Sequence, residues 1–151
     1  MADQAELDNS FLDNADLTGI DVSRPLLPKQ VLTVRTGDVR IEKSDDGSKR
    51  YLVVPLVLEE TGKDTKGNPV NVGFSVTDRL LLTPTGGLTQ QMINEKLARF
   101  QTAVLATDKP GPFGQLDQYQ GKLVRVQFDV RADKQDPDNQ FQDVRRYMAA
   151  K

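Results

Sequence analysis

With 151 residues, 37% hydrophobic and 28% charged, the chain has the makeup of one globular domain, and its longest apolar runs, such as 51–58, are far too short to span a bilayer. It contains no Cys, which excludes disulfides, thiolate metal sites and a Cys nucleophile, and no His, the most common general base and metal ligand, so it is not expected to be an enzyme or to need a cofactor. The net charge of −2 hides an asymmetry: residues 1–23 hold six acids (Asp3, Glu6, Asp8, Asp13, Asp16, Asp21) and no Lys or Arg, leaving 16 of the 22 acids against all 20 bases in the remainder, a net of +4.

Residues 1–24 are expected to form an acidic N-terminal arm, in which Phe11, Leu12, Leu17 and Ile20 follow only a weak helical period. Residues 1–11 lack the basic start and apolar stretch of a signal peptide, so a cytoplasmic location is expected. Pro25 and Pro28 then lead into the domain proper, 25–151.

A first strand is predicted over 31–42. Leu32 and Val34 share one face, Val39 and Ile41 the other phase, with Gly37 between them. Returning both pairs to one core takes an extra residue, a β-bulge, and Gly suits it; two short strands with a loop at 36–38 are the alternative. Ser44-Asp45-Asp46-Gly47 is a turn, and strand 2 follows over 49–59. Both faces of strand 2 are apolar, Val53 and Val57 lying opposite Leu52, Val54, Leu56 and Leu58, so the second face is either covered or meant for a contact, and Pro55 marks an edge or a bulge. Residues 61–69 read as a hairpin loop, and strand 3 is predicted over 70–78, with Val70, Val72, Phe74 and Val76 alternating inward. A helix is predicted over 90–106, capped by Thr89, with Ile93, Leu97, Phe100 and Val104 forming one apolar stripe. Residues 113–119 read as irregular. Strand 4, 122–132, alternates Val124, Val126, Phe128 and Val130 with Arg125, Gln127, Asp129 and Arg131; a polar loop, 133–139, leads to strand 5 over 141–148, whose inward phase is ambiguous.

The order of three strands, one helix and two strands is that of a five-stranded OB-fold-like Greek-key barrel, with the helix between strands 3 and 4, a mainly β scaffold that commonly binds oligonucleotides or oligosaccharides. Gly86-Gly87 is not followed by the Lys and Ser/Thr of a phosphate loop, and the acids of 133–139 lack the spacing of a calcium loop, so no metal is expected. The chemistry that remains is a groove for single-stranded nucleic acid, which combines cations that follow phosphates with aromatic faces on which bases stack. The candidates are Arg35 and Arg40 on strand 1, Lys49, Arg50 and Tyr51 on strand 2, Phe74 and Arg79 on or after strand 3, Arg125 and Arg131 on strand 4, and Arg145 and Tyr147 on strand 5.

The segments LPKQVLTVRTGDVRIEKSDDGSKRYLVVPLVL, TQQMINEKLARFQTAV and YQGKLVRVQFDVRADKQDPDNQFQDVRRYMAA, with the strand opening Gly121-Lys122-Leu123-Val124-Arg125-Val126, together resemble phage-encoded single-stranded-DNA-binding proteins of the OB-fold type, over about residues 28–148. The resemblance implies sequence-tolerant binding of single-stranded DNA in phage replication or recombination, in the cytoplasm of a bacterial host. Members of the wider group often carry an acidic C-terminal tail that recruits partners and competes with DNA. Here the C-terminus is basic (Arg145, Arg146, Lys151), so that part would fall to the acidic N-terminal arm, as a DNA mimic or as a contact for replication or recombination proteins. The rival expectation is a structural or assembly protein of a virion that uses the barrel for protein contacts, with the outer face of strand 2, Val53 and Val57, as its surface.

Overall fold

Gly37 divides the first strand in two. The computed structural model describes residues 24–150, together with Asp16 and Thr18; the expected arm lies otherwise outside the described residues. Strand β1 (Gln30–Thr36) and strand β2 (Arg40–Lys43) both pair antiparallel with β3 (Arg50–Leu58), Thr36 opposite Leu56 and Arg40 opposite Val53. Residues 37–39 therefore face only 54 and 55, an excess of one residue, which is the phase slip that the sequence requires. The Gly37 N–H donates to the Pro55 carbonyl at 2.8 Å, and a Cβ on Gly37 would stand 3.0 Å from the Pro55 Cβ, so the close crossing favours glycine. Leu32, Val34, Thr36 and Val39 are buried on the two sides of the slip. Ile41, expected in the core, is 45% exposed; β2 pairs with β3 alone and is an edge strand.

The third strand differs from its predicted bounds. Gly73 has φ +97°, the Phe74 N–H closes a turn on Asn71, and the sheet resumes only at β6 (Ser75–Leu81), paired with β3. Val72 is left exposed. Within the predicted loop, β4 (Gly62–Lys63) and β5 (Pro69–Val70) form a small ribbon that inserts Val70 into the core. Gly62 lies so close to Leu32 that a Cβ would be 2.6 Å from the Leu32 Cδ1.

Helix α1 (Gln90–Leu105) starts where Thr89 accepts the Met92 N–H at 3.2 Å. Replacing Thr89 with Ala should lower stability by about 1 kcal/mol, read as a lower urea midpoint with an unchanged slope. Ile93, Phe100 and Val104 are buried, and Leu97 packs partly against the core. After the helix, Gln101 pins the returning chain: its amide donates to the Pro112 carbonyl at 2.9 Å, and its side-chain oxygen accepts the Gly111 N–H at 2.9 Å. Tyr119, in a 3-10 turn over Leu116–Tyr119, is fully buried, stacked on Phe113 with ring centres 4.5 Å apart. The buried Thr36 hydroxyl donates to the Tyr119 carbonyl at 2.5 Å and accepts the Lys122 N–H at 2.9 Å, tying this turn to β1.

Strands β7 (Leu123–Ala132) and β8 (Gln140–Ala149) complete one antiparallel sheet whose path runs β6–β3–β1–β7–β8, with β2 prolonging β1 along β3. The core lies on its concave side: Leu32, Val34, Leu52, Val54, Leu56, Val124, Val126 and Phe128, covered by Phe100 and Val104 of α1. Backbone pairing does not close the sheet. Because every pairing is antiparallel, the two end strands, β6 and β8, run in the same sense, and side chains bridge the seam between them: the Tyr147 hydroxyl donates to Asp78 Oδ2 at 2.6 Å. No helix among the described residues is long and apolar enough to cross a membrane.

Candidate nucleic-acid interface

Register decides which of the candidate cations share a surface. Side chains two apart in a strand, and those opposite in neighbouring strands, face the same way. Arg40 and Arg79 both lie opposite Val53, Arg35 lies opposite Val57, and Arg125 lies opposite Thr33, two residues from Arg35. Tyr51, two residues from Val53, and Arg131, six from Arg125, complete a set on the outer face. Arg50 has the opposite phase, at the mouth of the β2–β3 hairpin, where its N–H donates to the Thr83 hydroxyl at 2.9 Å; Lys49 is exposed beside it.

Most of the outer arginines meet a carboxylate. Arg40 and Arg79 both reach Glu42, at 2.7 and 3.4 Å, and Arg35 reaches Glu59 at 2.8 Å and the Gly121 carbonyl at 2.9 Å. These ion pairs are solvent-exposed, hence weak, and a phosphate can take the place of the carboxylate at little cost. The second apolar face of β3, which the sequence leaves either covered or free for a contact, is largely covered: Val53 has no exposed surface, and Val57 is half-buried.

The seam between β6 and β8 holds an arrangement that the sequence did not reveal. At its Ser75 end, a groove of about 390 Å³ is lined by Arg24, Phe74, Thr77, Phe141 and Gln142. The Arg24 guanidinium stands 4.9 Å from the Phe74 ring centre while donating to the Ser75 carbonyl at 2.6 Å. Arg131 stands 5.4 Å from the Phe141 ring centre, so each ring has a cation over its face. Gln142 fixes the chain on which Arg24 is carried: its amide oxygen accepts the Leu27 N–H at 2.6 Å, and its amide nitrogen donates to the Leu27 carbonyl at 2.9 Å. Phe74 is half-buried against the core and Phe141 is 39% exposed. Arg24 and Phe141 were missing from the candidates. The available signals were Arg24 directly before a proline and the undecided phase of the strand containing Phe141.

Tyr147, grouped with the exposed aromatics, does not offer a stacking face. Its ring meets Phe100 edge-on at 5.0 Å and 89°, its hydroxyl is committed to Asp78, and burial pushes its pKa well above the usual range. Burial also pushes the Asp78 carboxyl up to about 6; the Tyr147 hydrogen bond and the Arg79 N–H oppose that shift, and the charge of Asp143 adds to it. Arg145 is the extra residue of a bulge, because Gln127 pairs with Arg146 and Phe128 with Val144, and its Nε lies 3.4 Å from Asp129 and 3.2 Å from Asp143. The 133–139 loop is a hydrogen-bonded turn, closed by Asp133 N–H to Asn139 O at 2.9 Å.

No family model matches the chain, and no curated protein matches it either.

Proposed function

We propose that this chain is a non-enzymatic, single-stranded-DNA-binding protein acting in phage replication or recombination, with its curved sheet serving as an OB-fold-like barrel whose β6–β8 seam is held by side chains. The observation that carries the reading is the pair of rings in one groove, Phe74 and Phe141, with Arg24 over the first inside the groove and Arg131 over the second from beside it. A base that stacks on either ring displaces the guanidinium from the face, and the guanidinium then meets the phosphate beside that base. The outer arginines, from Arg35 and Arg40 to Arg79 and Arg125, extend the positive surface away from the groove. The rival reading, a virion assembly protein, drew on Val53 and Val57, and the burial of Val53 removes much of its surface.

Fluorescence anisotropy of labelled single- and double-stranded oligonucleotides across a salt series tests the proposal. Single strands should be preferred, and log K should fall with log salt by about 0.7 for each phosphate neutralised. Absence of binding to either form at low salt would overturn the reading.

A further inference from the structure

We infer that a bound strand continues along the β6–β8 seam into a second cleft, where Lys96, Arg99 and Arg146 hold its phosphates; this rests on the single-strand reading above. The cleft, about 400 Å³, opens between α1 and the seam, with Leu80, Phe100 and Val144 among its apolar lining. It lies one to three residues along β6 from Thr77, where the aromatic groove ends, a separation of about 3–10 Å at the rise of a strand. The two sites therefore follow one another along the same seam, and a flexible polyanion can occupy both.

Two local features put the cations there. Lys96 and Arg99, three apart on α1, share a helix face and are both exposed. On β8 the bulge interrupts the alternation of side chains, so that the consecutive Arg145 and Arg146 both line the cleft. The four cations are not equally available. Arg145 is held between Asp129 and Asp143, whereas among the described residues Arg99 has only a 3.9 Å contact with Glu95, and Arg146 meets the neutral Gln127 amide at 3.0 Å. Lys96 lies close enough to Asp78 to favour its ionised form, but that carboxylate sits on the floor, held by Tyr147. The rim is thus cationic, and the single acid among the lining residues is bound away at depth. None of Lys96, Arg99 and Arg146 belongs to the aromatic groove.

The test uses the full chain with labelled oligo-dT of two lengths, about four and about sixteen nucleotides, the limits of site size for such folds. The double variant Lys96→Ala, Arg99→Ala should bind the long oligonucleotide on the order of tenfold more weakly at low salt, and its salt slope should fall by about 1.4, two phosphates' worth. Binding of the short oligonucleotide, which covers less of the seam, should weaken by less. An unchanged salt slope on the long oligonucleotide would overturn the second contact, and so would equal losses on both lengths. Failure of the unmodified protein to bind the long oligonucleotide would instead sink the single-strand reading itself.

Discussion

Replacing Phe74 and Phe141 together with Leu should weaken single-strand binding by about 2 kcal/mol, roughly thirtyfold, with little change in salt slope. Leucine keeps apolar bulk where Phe74 packs on the core, so the fold survives, but it has no π-face for a base or a guanidinium. The loss should appear as a vertical shift of log K at every salt concentration, because no phosphate contact has been removed. The opposite pattern is expected of Arg24→Ala with Arg131→Ala, in which the slope itself declines. Anisotropy titrations of these two variants beside the unmodified chain separate stacking from charge. If the leucine variant binds as tightly as the parent, the rings are structural and the groove is not the base-binding site.

The strands with one clear period were legible in the sequence. Val124, Val126 and Phe128 are buried, and Arg125 between them is exposed, as simple alternation requires. Gly37 was readable as the place of the break, but two apolar pairs out of phase left open a bulge or a loop between two short strands, and the structure has two strands with one extra residue between them. Strand 3 was not legible, because Val70, Val72, Phe74 and Val76 keep perfect alternation across a turn that only the positive φ of Gly73 reveals. Val70 is buried from the small ribbon, Val76 from the sheet, and Val72 between them is exposed, so the pattern joined two unrelated elements. The candidate site was legible as residue types but not as groupings. Tyr147 and Phe141 are both aromatic residues on one strand, and the bulge at Arg145 sets which of them turns inward. The groove itself brings residue 24 beside 74 and 141, a convergence that depends on sheet curvature and on Gln142 holding Leu27.

Asp78 sits in this seam at a cost to the fold, and Asp78→Asn should expose that cost. Burial raises the carboxyl from 3.8 to about 6, so the folded state favours the protonated form more strongly than the unfolded chain does. The stability this provides is complete below pH 3.8 and is lost as the pH rises through about 6. A shift of about 2 units corresponds to about 3 kcal/mol lost by neutral pH. Asparagine cannot ionise, and its amide oxygen can still accept the Tyr147 hydroxyl. The variant should therefore be more stable than the parent at pH 8 by about 1–3 kcal/mol, the lower values applying if its amide N–H groups lack partners. The difference should shrink towards zero near pH 4, which urea midpoints measured from pH 4 to 8 would show. Comparing variant with parent at each pH cancels the other carboxylates, including Asp46, whose pKa is lowered by Ser44 and Ser48 and which therefore changes stability in the opposite direction. A variant less stable than the parent at pH 8 would mean that the ionised Asp78 holds the seam together through its hydrogen bond. A seam strained by a buried charge at neutral pH is also one that a polyanion, drawing Lys96 away from Asp78, can alter. Single-strand binding should therefore change the protonation of Asp78 as well as the position of the cations around it.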